Sequence, residues 1–246
     1  MVVKDRIAIV TGAGSGIGAA TARALHTHGA YVVATDVSGK EADTAQSLGD
    51  RAVAFRADLS NPDEIAALIE FAVSEYDDID ILCNVGALGT TREFLADARL
   101  GDFERIINVD LVSVFLTMKH AIPHMVRRGG GSIVNVSSMA ALKTFPNMAA
   151  YASAKAGVVA LTKVAAMEYG EHGIRVNVIC PGATETPLLL DAHAANPARL
   201  DYLRGLAPLR RMGLPEEMAS VILFLASEAS SYITGAVVPV DGGQSM

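Results

Sequence analysis

Short runs of apolar residues recur along the chain, separated by longer stretches whose apolar positions follow a helical period. The runs are Ile7 to Thr11, Tyr31 to Asp36, Ala52 to Arg56, Ile79 to Cys83, Ser132 to Val136, Arg175 to Ile179 and Ala236 to Val240, and each reads as a strand. They are nearly unbroken rather than alternating, as strands buried on both faces must be. A parallel sheet with helices on each side buries strands in that way, and the strand-helix alternation requires the same architecture independently. The expected fold is α/β, a doubly wound parallel sheet. No linker, charge block or low-complexity segment divides it, so residues 1–246 read as a single domain.

Two helices carry further information. Asn61-Pro62-Asp63-Glu64 supplies a cap, a proline for the first turn and carboxylates at the positive end of the dipole, and predicts a helix running to about Tyr76. From Ala156 to Met167 the apolar residues surround the helix instead of striping one side, so it is expected to be covered twice. The sheet covers one face. No insertion is evident to cover the other, which predicts a second copy of the chain there.

Composition narrows the function. Apolar residues at 51% against 19% charged exclude a disordered chain, and a formal net charge of -7 argues against nucleic acid as a partner. The longest charge-free stretch, Ile7 to Ala22, is rich in glycine and short of the ~18 apolar residues of a membrane span. No export signal is read at the N-terminus, and the expected location is the cytoplasm. Cys83 and Cys180 fall in apolar runs, as reduced core thiols rather than a bridge or a metal site.

The chemistry begins directly after the first strand, at Thr11-Gly12-Ala13-Gly14-Ser15-Gly16-Ile17-Gly18. Gly12, Gly16 and Gly18 are spaced to bring backbone N–H groups and a helix N-terminus against a pyrophosphate, although a glycine loop alone also suits an ordinary tight turn. Asp36 ends the second strand about 20 residues further on, where a carboxylate accepts the hydroxyls of an adenosine ribose and repels a 2'-phosphate. No basic residue stands at Ser15 or Val37 to neutralise such a phosphate, which favours NAD over NADP. Asp58, ending the third strand, either accepts from the adenine amino group or caps its own turn.

Tyr151 and Lys155 stand four apart, on one face at the start of the doubly apolar helix. Tyrosine holds its proton at neutral pH, and an ammonium one turn away favours the phenolate. Ser138 lies just past the strand Ser132 to Val136, where α/β sheets bind ligands. It could hold a substrate oxygen while Tyr151 exchanges its proton; alone it reads more often as a helix cap or turn residue.

With glycine loop, Asp36, Ser138, Tyr151 and Lys155 in place, the whole chain resembles the short-chain dehydrogenase/reductase family, of Rossmann type. Asp58-Leu59, Pro181-Gly182-Ala183-Thr184-Glu185-Thr186, Ile233-Thr234-Gly235 and Val240-Asp241-Gly242-Gly243 extend the resemblance. It implies that Tyr151 is the acid/base, that Ser138 holds the reacting oxygen and that Lys155 also binds the nicotinamide ribose. The loop from Gly12 through Ser15, Gly16, Ile17 and Gly18, together with Asp58, Leu59 and Asn84, would line the rest of the dinucleotide, and Pro181, Gly182, Thr184 and Thr186 would seat the carboxamide and diphosphate. The expected reaction interconverts a secondary alcohol and a ketone in a homotetramer with no metal.

Three departures from the family pattern stand out. Asn84-Val85-Gly86-Ala87 replaces Asn-Asn-Ala-Gly, which alters the floor of the adenosine pocket. Asp110 falls at the family's fourth catalytic residue, an asparagine, and Asn108 cannot replace it because two residues turn a helix by about 200°. The Asp110 carboxylate either pairs with Lys155 or is held away by a helix kink. Thr184 replaces an aliphatic residue whose contact runs through the backbone. The main alternative is an NADPH-dependent 3-oxoacyl-thioester reductase, whose acidic carrier would need a basic patch such as Arg127, Arg128 and His172. A non-catalytic dinucleotide sensor is more distant. Substrate choice is assigned to the loop of residues 186–212, whose leucines either form an apolar pocket with Met139, Leu142 and Phe145 or pack the loop's own helices; Arg199 and Arg204 would anchor a carboxylate if turned inward.

Overall fold

The computed structural model describes residues 3–89, 92–194 and 196–246. Seven strands form one parallel sheet: β1 (Ile7–Thr11), β2 (Tyr31–Asp36), β3 (Ala52–Arg56), β4 (Ile81–Asn84), β5 (Gly131–Val136), β6 (Ile174–Pro181) and β7 (Val237–Val240). Their spatial order is β3-β2-β1-β4-β5-β6-β7, so the winding reverses between β1 and β4. That reversal opens a crevice at the carboxyl ends of the strands, the place where such sheets take ligands.

The strands are apolar throughout because alternate residues serve opposite layers. Ala8, Val10, Val32, Ala34, Ile81 and Cys83 pack under α1 (Gly16–Thr27) and α9 (Pro215–Ala226), whereas Ile9, Val33, Leu82 and Ile133 face α3 (Pro62–Tyr76), α5 (Ser113–Arg128) and α6 (Ala149–Tyr169). α2 (Glu41–Leu48) lies beside β3, and α4 (Leu100–Ile107) packs on α6. α3 starts as its sequence dictates, with the Asn61 side chain accepting from the Asp63 amide and proline in the first turn.

Several strand boundaries move by one or two residues. β4 begins at Ile81 rather than Ile79, because the Asp80 side chain turns back to accept from the Ile7 amide at 2.8 Å and from Arg6 and Arg128. β6 runs on to Pro181, whose missing N–H costs nothing at a strand end where Val240 stands opposite. Leu100–Arg128 is long and apolar enough to cross a membrane by length and composition alone, but its α5 part packs on β4, β5 and α3.

The chain itself covers part of the helix that carries the doubly apolar stretch. Ala150 and Ala154 of α6 pack against Ile106 of α4, and a Cβ on Gly157 would stand 2.7 Å from Leu111, so the chain itself covers the first turns of the second face. Further along, Val164 and Met167 are 51% and 86% exposed.

Candidate active site

The glycine loop is a close-packed knot of backbone. Gly12 has φ +68°, and a Cβ there would stand 2.7 Å from the Gly86 Cα. A Cβ on Gly18 would overlap the Gly12 carbonyl, and one on Gly16, at φ +51°, would meet Thr186 at 3.0 Å. Side chains at these positions would fill the space in front of the α1 N-terminus, so the loop fits a pyrophosphate pressed against its amides. Ser15 is exposed at the N-cap and its hydroxyl caps no helical amide. Ile17 is part of the core under the loop.

Asp36 borders the same loop. Its Oδ2 accepts from the Gly14 amide at 3.1 Å and its Oδ1 from the Ser38 amide at 2.9 Å. Each carboxylate oxygen retains a second lone pair for a ribose hydroxyl. Asp58 accepts from the Ser60 amide at 2.8 Å, which with the Ser60 hydroxyl holds its pKa below the usual carboxylate range. It thus caps its turn through one oxygen. Leu59 packs against Gly86, and a Cβ on that glycine would stand 2.6 Å from the leucine methyl.

The Asn84 side chain turns into the protein. It is 3% exposed, donates to Asn135 at 2.9 Å and accepts from Thr117 at 2.8 Å, so both amide atoms are spent inside the protein. The crevice wall here is the backbone of Val85 and Gly86, whose amides both donate to the Thr11 hydroxyl. Thr11 escaped the sequence reading, its one signal being a hydroxyl at the strand end next to the glycines. Arg56 was also missed: it pairs in register with Asp36 and donates to the Val37 carbonyl at 3.1 Å. That places a cation beside the adenosine end which nearest-neighbour sequence reasoning cannot see.

The catalytic candidates converge at the end of β5. The Ser137 hydroxyl donates to the Lys155 carbonyl at 2.7 Å, tying α6 to the strand end. Ser138 follows, 9% exposed, with its Oγ accepting from the Ala140 amide as the cap of a short turn over Met139–Ala141. Tyr151 is half-buried, and the Lys155 ammonium lies 5.6 Å from its ring centroid. Lys155 is 2% exposed and donates to the Val136 carbonyl at 3.4 Å.

Asp110 is wholly buried and directed at this group. Its Oδ2 lies 3.5 Å from Lys155 Nζ, an ion-pair contact, and its Oδ1 accepts from the Leu88 amide at 2.7 Å. Burial pushes its pKa above the usual carboxylate range, against the opposing pull of Lys155 and the Leu88 amide. It sits in a π-helical turn, Asn108–Val112, joining α4 to α5, where the Ser113 hydroxyl donates to the Val109 carbonyl. Of the two arrangements open to the carboxylate, pairing is the one observed. Asn108 does point elsewhere, donating to the Ser60 carbonyl.

On the far side of the crevice, Pro181 ends β6 and Gly182 presses on Asp241, from which a Cβ would be 2.8 Å away. The Thr184 hydroxyl donates to the Gly182 carbonyl, and Thr186 caps α7 (Pro187–His193) by accepting from the Leu189 amide. The loop of residues 186–212 is largely helical, comprising α7 and α8 (Pro197–Leu206). Its leucines divide: Leu203 is buried and Leu188 is half exposed. Arg204 is spent on Asp201 at 2.7 Å. Of the expected carrier patch, Arg128 pairs with Asp80 and Asp78, whereas Arg127 lies against the His124 ring and keeps its charge.

Comparison with known proteins agrees with this geometry. Residues 12–245 match the family described as Enoyl-(Acyl carrier protein) reductase. The chain is 42% identical to the cis-4-hydroxycyclohexanecarboxylate dehydrogenase of Sinomonas cyclohexanicum, over 97% of this chain and 96% of that one. It is 37% identical to the cyclohexanol dehydrogenase of Acinetobacter sp. (strain SE19), over 97% and 94%. Among solved structures, a 3-ketoacyl-(acyl-carrier-protein) reductase from Brucella melitensis complexed with NADH superposes with a TM-score of 0.92 at 34% identity, covering 99% of each chain. The chain belongs to the short-chain dehydrogenase/reductase family.

Proposed function

We propose that the protein interconverts a secondary alcohol, carried on an alicyclic ring, and its ketone, with NAD as cofactor and Tyr151 as acid/base. The observation that carries this is the meeting of Ser138, Tyr151 and Lys155 at the end of β5, beside the crevice that the glycine loop and Asp36 border. A bound nicotinamide dinucleotide takes or supplies the hydride. In oxidation the hydroxyl proton passes to Tyr151, and in reduction Tyr151 returns it to the forming alkoxide; Ser138 holds that oxygen by hydrogen bond, and Lys155 offsets the phenolate charge. Gly12, Gly16 and Gly18 admit the diphosphate and Asp36 takes the ribose hydroxyls. Two relatives named as dehydrogenases of cyclohexyl alcohols support the substrate class.

Asp36 also argues against the 3-oxoacyl-thioester reductase using NADPH, and the pairing of Arg128 with Asp80 and Asp78 weakens the patch a carrier would need. The exposed Val164 and Met167 on α6 support a homotetramer joined partly through that helix. The buried, unpaired thiols support a cytoplasmic setting, with burial pushing Cys83 up to about 12. The test is a panel of cyclic and acyclic secondary alcohols with NAD, followed by the absorbance of the reduced cofactor. No oxidation of any of them, nor reduction of the matching ketones, would overturn the reading.

A further inference from the structure

After β7 the chain folds into a turn, Asp241 to Met246, that lies against the segment following β6 and against the end of the α7–α8 segment. Asp241 holds this turn together, accepting from the Gly243 amide at 2.9 Å and from the Ser245 amide at 2.8 Å. Gln244 is only 7% exposed, although its neighbours around a cavity of about 270 Å3 include Leu203, Ala207, Met218 and Val240. An apolar side chain would suit such a wall, whereas a buried amide is costly unless it finds a partner.

Its partner is the far wall of the crevice. Gln244 Oε1 accepts from the Ala183 amide at 3.3 Å, and the carbonyl of the same peptide, that of Gly182, accepts from the Thr184 hydroxyl at 3.1 Å. The peptide is held at both ends. Beyond it, the Gly213 amide donates to the Ala183 carbonyl and the Glu185 amide to the Gly213 carbonyl, each at 2.9 Å. In such a parallel pairing the residue between them, Thr184, directs its own amide to the opposite edge. Among the described residues that amide has no protein partner, while the Thr184 carbonyl accepts from the Thr186 amide at 2.8 Å. Thr184 is 5% exposed, and a buried backbone donor without a partner is suited to a ligand.

We propose that Gln244 is a positioning residue for the nicotinamide: by fixing the Gly182–Ala183 peptide it presents the open Thr184 amide to the carboxamide oxygen of the cofactor. This rests on the reading of the crevice as a nicotinamide dinucleotide site. Asp36 and the glycine loop, at the other end of that site, make no contact with Gln244, so its contribution is confined to the nicotinamide end. The same turn anchors the end of α7–α8, because the Leu209 amide donates to the Gly242 carbonyl at 3.3 Å and a Cβ on Gly243 would stand 2.9 Å from the Pro208 ring. One strut thus supports both the nicotinamide seat and the segment assigned to substrate choice.

The experiment separates the nicotinamide end from the rest of the dinucleotide. Dissociation constants of NADH and of adenosine 5'-diphosphoribose, which lacks the nicotinamide, are measured by calorimetry on the whole chain. Gln244→Met keeps the volume and removes the acceptor; it is expected to weaken NADH about fivefold and to leave adenosine 5'-diphosphoribose within about twofold. Gln244→Ala, which leaves room instead of bulk, should lose the same selectivity. Gln244→Glu keeps an oxygen for the Ala183 amide and gives up only an Nε2 that has no protein partner among the described residues, so it should bind NADH within about twofold of wild type. Equal weakening of both ligands, unchanged NADH binding in Gln244→Met and Gln244→Ala, or a Gln244→Glu as weak as Gln244→Met overturns the positioning role while the dinucleotide reading stands. A wild-type protein that binds neither ligand overturns the dinucleotide reading and the inference with it.

Discussion

Replacing Asp110 by asparagine tests how the buried carboxylate affects the proton exchange. Lys155 Nζ is 5.6 Å from the Tyr151 ring centroid. With that length as the scale and an effective dielectric of about 20, the ammonium attracts a unit negative charge forming there by about 3 kcal/mol. The Asp110 carboxylate, 3.5 Å from the same ammonium and closer than the ring, opposes this when ionised. If it cancels half, the loss is about tenfold, or about one pH unit in the rise of alcohol oxidation. The sign follows from protonation. Burial raises the Asp110 pKa, so on the acid side the side chain is neutral and wild type and Asp110→Asn behave alike; the gap opens as pH rises through the raised value and the carboxylate charges. Asp110→Asn should therefore reach half-maximal kcat/KM about one unit lower in pH, read from initial rates of alcohol oxidation across a pH series. Superimposable profiles would refute the electrostatic reasoning. A gain of a hundredfold or more at every pH would mean that the natural site is impaired and would bring the dinucleotide-sensor alternative forward.

Tyr151→Phe should abolish turnover and leave the NAD Kd within about threefold, whereas Lys155→Ala should damage both; more than about a tenth of wild-type activity in Tyr151→Phe would show the acid/base to be elsewhere. NAD should bind at least tenfold more tightly than NADP, with Asp36→Ala narrowing the difference, and equal affinities in titration would show that Arg56 outweighs Asp36. Gly18→Ala forces a Cβ into the Gly12 carbonyl and should cost about 3 kcal/mol, lowering Tm by roughly 6–12 °C and abolishing NAD binding; an unchanged melting curve would contradict the close packing of the loop. The chain should sediment as a tetramer at micromolar concentration, and a 25.7 kDa monomer would leave Val164 and Met167 without the proposed partner.

Local chemistry was legible in the chain wherever a property depends on neighbours a few residues apart. The unbroken apolar strands, the Asn61 cap, the positive-φ glycines of the first loop and the one-turn spacing of Tyr151 and Lys155 all belong to that kind, because strand burial, capping, turn geometry and helical phase act over one element. Contacts between strand ends could not be read in that way. Arg56 meets Asp36 only through parallel register, and Asn84 turns inward only because Asn135 and Thr117 await it across the sheet and α5. Whether Asp110 faced Lys155 depended on a π turn whose extra residue rotates everything after it, and the partial cover on α6 depended on where α4 then packed. A charge's partners are set by distance in space, and the chain specifies that distance only after the whole sheet has formed.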